Sequence, residues 1–156
     1  MLIDFEKAFD SLSWNFLYNV LRYLGFGESL MKWIKLFNTN IQASVLQCGN
    51  LSNFFAIKRG CQQGDPCAPF LFILAGQILS ILIHINKRLK GIIIGNNEYR
   101  LTHFADDTTL FMDSSRESLQ AALNILEIFG SISGLRMNTT KTKVIWIGRK
   151  NSAKIN

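Results

Sequence analysis

Proline, paired cysteines and export signals are all scarce in this sequence of 156 residues. With 2 prolines, 48% hydrophobic and 18% charged residues, it is neither a proline-rich linker, a collagen-like fibre nor a disordered tail. The cysteines number 3 (Cys48, Cys61 and Cys67), an odd count without zinc-site spacing, so no disulfide framework is implied. A reduced, intracellular setting fits that usage. Asp4 and Glu6 stand where a signal peptide needs cations, so no export is expected. The longest apolar run, Phe70 to Ile85, is 16 residues and carries Gln77, Ser80 and His84. That is short for a bilayer span and long enough for a buried helix, so no membrane partner is expected.

What is present suits one folded domain over residues 1–156. A chain this long buries about 70% of its unfolded surface. The formal charge is +6, and its placement is uneven. Residues 1–132 hold 11 basic and 11 acidic side chains, which cancel. The excess lies in Arg136, Lys141, Lys143, Arg149, Lys150 and Lys154. A basic end on a neutral body suits a polyanion, or else a solvated tail.

Hydrophobic spacing sets out the elements. Leu2 to Phe5 reads as a buried strand end, and Asp10, Ser11 and Ser13 offer helix caps. Trp14, Leu17, Tyr18, Leu21 and Leu24 recur at helical spacing up to Gly25. A second helix carries Leu30, Trp33, Ile34 and Phe37. Residues 42–48 and 53–58 read as strands joined by a turn at Gly49-Asn50. A loop over 59–69 leads into a helix over 69–87, with Pro69 in its first turn. Strands are expected at 91–94, 99–104, 108–112 and 143–147. An amphipathic helix is expected over 116–130, stopped at Ser133-Gly134. Mixed helices and hairpins predict an α+β fold.

Four features carry chemistry. Asp106-Asp107 sits between apolar strands at a hairpin tip. Adjacent like charges there call for a cation or a raised pKa, and a surface turn is the plain alternative. Asp4 interrupts an apolar strand. Paired hard oxygen ligands suit Mg²⁺, which takes one or two protein carboxylates alongside water and phosphate. Three carboxylates from two strand ends could hold two such ions for an in-line phosphoryl displacement. Gln62-Gln63-Gly64-Asp65-Pro66 is a glycine turn opening a helix, where backbone N–H groups and close approach suit a nucleotide. Gly134 to Thr142 follows a helix stop and places Lys141 before a strand.

Together these segments resemble the motifs of reverse transcriptases. Asp4-Phe-Glu-Lys-Ala-Phe-Asp10 is similar to motif A and Arg59 to Phe72 to motif B. Phe104-Ala-Asp-Asp107 resembles motif C, and Gly134-Leu-x-x-Asn138-x-x-Lys141-Thr142 resembles motif D. The four stand in family order over nearly the whole chain, in the form favoured by non-LTR (LINE-type) retrotransposons. Motif B departs in Gln62, where a basic residue is usual, in Cys67, usually apolar, and in Ala68, usually Ser.

The resemblance implies a polymerase palm, an antiparallel sheet packed on helices with a partial fingers insertion. It implies RNA-templated DNA synthesis on a DNA primer from deoxynucleoside triphosphates, with two Mg²⁺ ions that Mn²⁺ can replace. Asp4, Asp106 and Asp107 match the metal-binding carboxylates, with the Phe5 carbonyl assisting. Phe9 matches the bulky gate against a ribose 2′-OH. Gln63 and Gly64 match nucleotide contacts, and Lys141 a general acid toward pyrophosphate. Phe104 reads equally as a primer contact or a core residue, and Asp10 as a helix cap. Work in the nucleus is the setting such a polymerase implies. No fingers strands precede Asp4 and no thumb follows, so the expectation is a fragment with little polymerase activity alone. The rival readings are a non-catalytic nucleic-acid-binding module and an inert relic.

Overall fold

The computed structural model describes residues 1–104 and 107–147. Its central sheet is antiparallel and built from far-apart pieces. β1 (Leu2–Ile3) pairs with β9 (Asp107–Leu110), and β9 pairs with β8 (Leu101–Phe104). The register sets Leu2 opposite Thr109 and Ile3 opposite Thr108. It also sets His103 opposite Thr108 and Phe104 opposite Asp107. The other edge of β1 is taken by the segment after the last helix. Lys143 and Leu2 exchange backbone bonds of 2.7 and 2.9 Å, and Phe5 bridges Met137.

Sidedness follows from the strand period of two. Ile3, Phe5, Thr108 and Leu110 are buried and face the helices, whereas Leu2 and Asp107 lie on the exposed side. The core beneath the sheet is made by α2 (Trp14–Tyr23), α4 (Ala68–Ile85) and α5 (Arg116–Ser133). Phe129 of α5 is fully buried and touches both Phe5 and Phe16, at ring-centroid distances of 6.2 and 5.8 Å. α4 alone, among the described residues, is long and apolar enough to cross a membrane. Its stripe of Phe72, Ala75, Leu79 and Ile83 is buried in the shared core, but only 28% of the helix is buried. Phe70, Ile73 and Ile85 are exposed, so it is not the fully buried helix that the sequence suggested. α3 (Glu28–Phe37) adds a smaller cluster, in which Met31 and Ile34 pack on Leu17 and Leu21.

The helices form where expected, with small shifts at the ends. Ser13 caps α2 by accepting the Phe16 N–H, while Asp10 and Ser11 lie inside the short helix α1 (Ala8–Ser11). Asp10 is therefore not the cap. α5 runs three residues beyond the expected end because Ser131 and Ser133 bond back to carbonyls of their own helix. Gly134 then stops it in the left-handed region, at φ 83°. Ser115 caps its start, joined to Asp113 and to the buried Ser118, whose hydroxyl also takes the Lys90 N–H.

The strands depart further. The 42–58 segment forms four short strands: β2 (Gln42–Ala43) pairs with β5 (Phe55–Ala56), and β3 (Leu46–Gln47) with β4 (Asn50–Leu51). The turn is Cys48-Gly49 rather than Gly49-Asn50. Both residues have positive φ, 50° and 81°, as a two-residue hairpin turn matching strand twist requires. The expected strand 99–104 breaks at Arg100. β7 (Asn97–Tyr99) turns back on β6 (Ile92–Ile94), while β8 joins the central sheet. The break is useful, since the Arg100 guanidinium donates to the carbonyls of Ile83, His84 and Asn86 at the end of α4 and pairs with Glu98 at 2.9 Å. The expected strand 143–147 shrinks to one bridge at Lys143, because Val144 to Ile147 meet no partner strand among the described residues.

Two glycines fix how the motif segments dock. Gly60 has φ 91°, and a Cβ there would stand 2.9 Å from the backbone of Phe9 and Asp10. Gly134 carries a similar constraint, with Ser11 O at 2.5 Å from such a Cβ. Gly60→Ala is expected to destabilise the chain by more than about 1 kcal/mol, through strain and lost docking. Gly76→Ala, on α4 with open space around its Cβ position, is expected to be neutral or stabilising by up to about 1 kcal/mol. Urea-unfolding midpoints of the two variants measure the contrast.

Candidate catalytic site

One row of residues runs across the solvent face of the central sheet. Phe104 of β8 is opposite Asp107 of β9. One step beyond the Ile3–Thr108 pair, the same register brings Asp4 opposite Asp107 on the exposed face. Directly opposed residues of an antiparallel ladder have Cα atoms about 4.5–5.5 Å apart. The register carried one step on thus sets the two acids on the same face, although 103 positions separate them in the sequence. Phe104 is 83% exposed, which removes the core reading of its ring. The Phe5 ring is the buried one, packed on Phe129, while its backbone follows Asp4 along the same strand.

The segment after α5 closes around Asp4. The Asp4 carbonyl accepts the Asn138 N–H at 2.8 Å, and the Asp4 N–H donates to the Thr142 hydroxyl at 3.3 Å. Between these anchors the chain makes one tight turn, closed by the Thr142 N–H on the Asn138 carbonyl at 2.9 Å. The turn sets the Lys141 ammonium 4.0 Å from an Asp4 carboxylate oxygen. A cation beside opposed carboxylates is what the clustering of like charge asks for. The pair is exposed, Lys141 by 72% and Asp4 by 40% at the side chain, so its contribution to stability is about 0–1 kcal/mol.

The motif A and B segments meet at Phe9 and Leu12. Gly60 and Cys61 donate N–H groups to the carbonyls of Leu12 and Phe9, at 2.8 and 2.6 Å, and the Trp14 indole donates to the Gly60 carbonyl at 2.7 Å. Phe9 stacks on Phe72 of α4, with centroids 4.6 Å apart and planes 19° from parallel, which makes its ring a braced wall. Gln62, Gln63 and Gly64 are exposed; Gly64 has φ 90°, with open space where a Cβ would stand. Asp65 accepts the Cys67 N–H at 2.8 Å, ordering the entry into α4. A cleft of about 1180 Å³ lies between this loop, α2 and the β2–β5 hairpins; its lining includes Gln63 but neither Asp4, Asp107 nor Lys141.

Of the residues expected to form a site, the structure pairs Phe104 with Asp107 across β8 and β9 and sets Lys141 beside Asp4 at the end of the neighbouring β1. Phe9, Gln63 and Gly64 belong to the adjoining loop and wall. Asp106, Arg149, Lys150 and Lys154 lie outside the described residues. Asp4 and Asp107 supply hard oxygen donors on one exposed face, the kind and number of carboxylates that Mg²⁺ takes from a protein. The residues present therefore fit such an ion, although no group of three or more His, Cys, Asp or Glu gathers among the described residues. Sequence reasoning missed the work of Asn138 and Thr142. Both stand in the segment that resembles motif D, on either side of Lys141, but that resemblance gave neither of them a role.

Residues 1–154 match the family described as reverse transcriptase (RNA-dependent DNA polymerase). The chain belongs to that family. Its relatives include proteins of retrotransposable elements. It is 33% identical, over 93% of its length, to the retrovirus-related Pol polyprotein from type-2 retrotransposable element R2DM of Drosophila melanogaster. It is 29% identical over 90% of its length to the Pol polyprotein from type-1 retrotransposable element R2 of Popillia japonica. It is also 29% identical over 90% to the transposon TX1 uncharacterized 149 kDa protein of Xenopus laevis. The matched region makes up 13%, 20% and 11% of those proteins respectively.

Burial pushes the Cys61 thiol up to about 11, with the Asp65 carboxylate adding to the rise, so the thiol stays protonated at neutral pH. Cys48 and Cys67 are exposed. Iodoacetamide at pH 8 is expected to label Cys48 and Cys67 in the folded chain and to reach Cys61 only in denaturant, as counted by mass spectrometry.

Proposed function

We propose that residues 1–156 form the palm of an RNA-directed DNA polymerase, with the 42–58 hairpins as part of its fingers, and that it extends a DNA primer on an RNA template. What supports this reading is the exposed row in which Asp4 stands opposite Asp107 with the Lys141 cation beside it, together with the family membership. In this reading Asp4, Asp106 and Asp107, with the Phe5 carbonyl, hold two Mg²⁺ ions. When bound, these ions supply charge neutralisation and a lowered pKa for an attacking hydroxyl.

The chain's own residues do the rest. The primer 3′-oxygen forms a bond to the α-phosphorus of a deoxynucleoside triphosphate, and the bond to pyrophosphate breaks. The hydroxyl proton leaves to solvent. Lys141 gives a proton to the departing pyrophosphate, since an ammonium beside the carboxylates is placed for general-acid work. Phe9, braced by Phe72, excludes a ribose 2′-OH by bulk. Gln63 and Gly64 contact the incoming nucleotide, where an open glycine turn lets backbone N–H groups approach phosphate. Phe104 lies against the primer end. Most of the catalysis in this reading is positioning and electrostatics. The setting would be intracellular, in the nucleus.

The test is primer extension on poly(rA)–oligo(dT) with Mg²⁺, resolved to single nucleotides. The expected result is short, weakly processive addition that falls at least 100-fold in Asp106→Ala and in Asp4→Ala. Addition that survives either change overturns the reading. Salt-dependent nucleic-acid binding without addition, indifferent to metal and to Asp106→Ala, would favour a non-catalytic binding module instead.

A further inference from the structure

We propose that Asn138 is a positioning residue that holds the Lys141 ammonium against Asp4, as a tethered counter-cation which a divalent ion must displace to bind there. The inference rests on Asp4 being a metal-binding carboxylate and deepens that reading.

Asn138 is the hub of the turn around Asp4. Its backbone N–H is held by the Asp4 carbonyl at 2.8 Å, and its own carbonyl accepts the Thr142 N–H at 2.9 Å. Its side-chain oxygen accepts from the Thr140 N–H at 3.1 Å, the Thr140 hydroxyl at 2.9 Å and the Lys141 N–H at 3.2 Å. One side chain thus fixes the backbone of Lys141 while the main chain beneath it is bolted to Asp4. Asparagine suits this work because its short amide mimics a backbone turn.

The fixed turn matters because the lysine has little else to hold it. Its side chain is 72% exposed, and its ammonium reaches Asp4 only at 4.0 Å. A four-carbon stem in water samples many rotamers, so a loosened turn would disperse the charge. Held in place, the ammonium and a divalent ion draw on one carboxylate and repel each other. Exposed pairs of this kind carry an interaction of about two- to fivefold in an equilibrium constant.

The probe is Mn²⁺, titrated into the full 156-residue chain and read as free ion by electron paramagnetic resonance. Lys141→Met and Asn138→Ala are expected to tighten Mn²⁺ binding by about two- to fivefold. Asn138→Ser, whose hydroxyl caps the same turn more weakly, should fall between Asn138→Ala and the unaltered chain. Asp4→Asn should lose the site. A merely structural role would not produce tighter binding on removal of a side chain. Unchanged affinity in Lys141→Met, with Asp4→Asn still losing the ion, overturns the inference and leaves the metal reading standing. Tightening in Lys141→Met but not in Asn138→Ala overturns the positioning role. Equal binding by Asp4→Asn and the unaltered chain removes both.

Discussion

The site depends on one short strand being shared by two partners. β1 is only two residues long, yet both of its edges are hydrogen-bonded, to β9 on one side and to the segment around Lys143 on the other. Backbone groups of a buried strand must be satisfied, and here each bond brings a chemical residue with it. The β9 edge brings Asp107 opposite Asp4. The other edge brings Asn138, Lys141 and Thr142 around it. Without this double pairing Asp4 would be an isolated acid at a strand end.

The helices beneath the sheet hold it against rotation. Ile3, Phe5 and Leu110 reach down into the cluster of α4 and α5, so the solvent face above is set by what is buried below. A slip of one residue would exchange the two faces and put Asp4 into the core. Burial of Ile3 and Phe5 therefore fixes the register as firmly as the backbone bonds do. Phe129, packed against both Phe5 and Phe16, links sheet and α2 in the same contact.

Close backbone approach joins the other segments. Gly60 rests on the main chain of Phe9 and Asp10, and Gly134 on Ser11, so the motif B loop and the end of α5 both seat on the chain just after Asp4. Neither approach leaves room for a Cβ, and both glycines have positive φ. The same stretch from Asp4 to Ser13 thus carries an acid, a braced aromatic wall and the docking surface for two distant segments. Chemistry and assembly are concentrated there for a physical reason: residues that must stay mutually placed are best fixed by short, dense contacts.

Much was legible in the sequence alone. Helical spacing located α2, α3, α4 and α5 within a few residues. Ser13 was among the three caps offered before α2, and acids on apolar strands singled out Asp4 and Asp107 as candidates. The helical readings succeed because each depends on neighbours within one or two turns of chain. Pairing was not legible. That Val144 to Ile147 meet no partner strand among the described residues, that 99–104 breaks so that the Arg100 guanidinium reaches the carbonyls ending α4, and that Asn138 and Thr142 clasp Asp4 all follow from contacts between remote segments. At least one partner in each of these bonds is a backbone N–H or C=O, common to nearly every residue, so side-chain type does not mark which segments meet, and only the folded chain decides it.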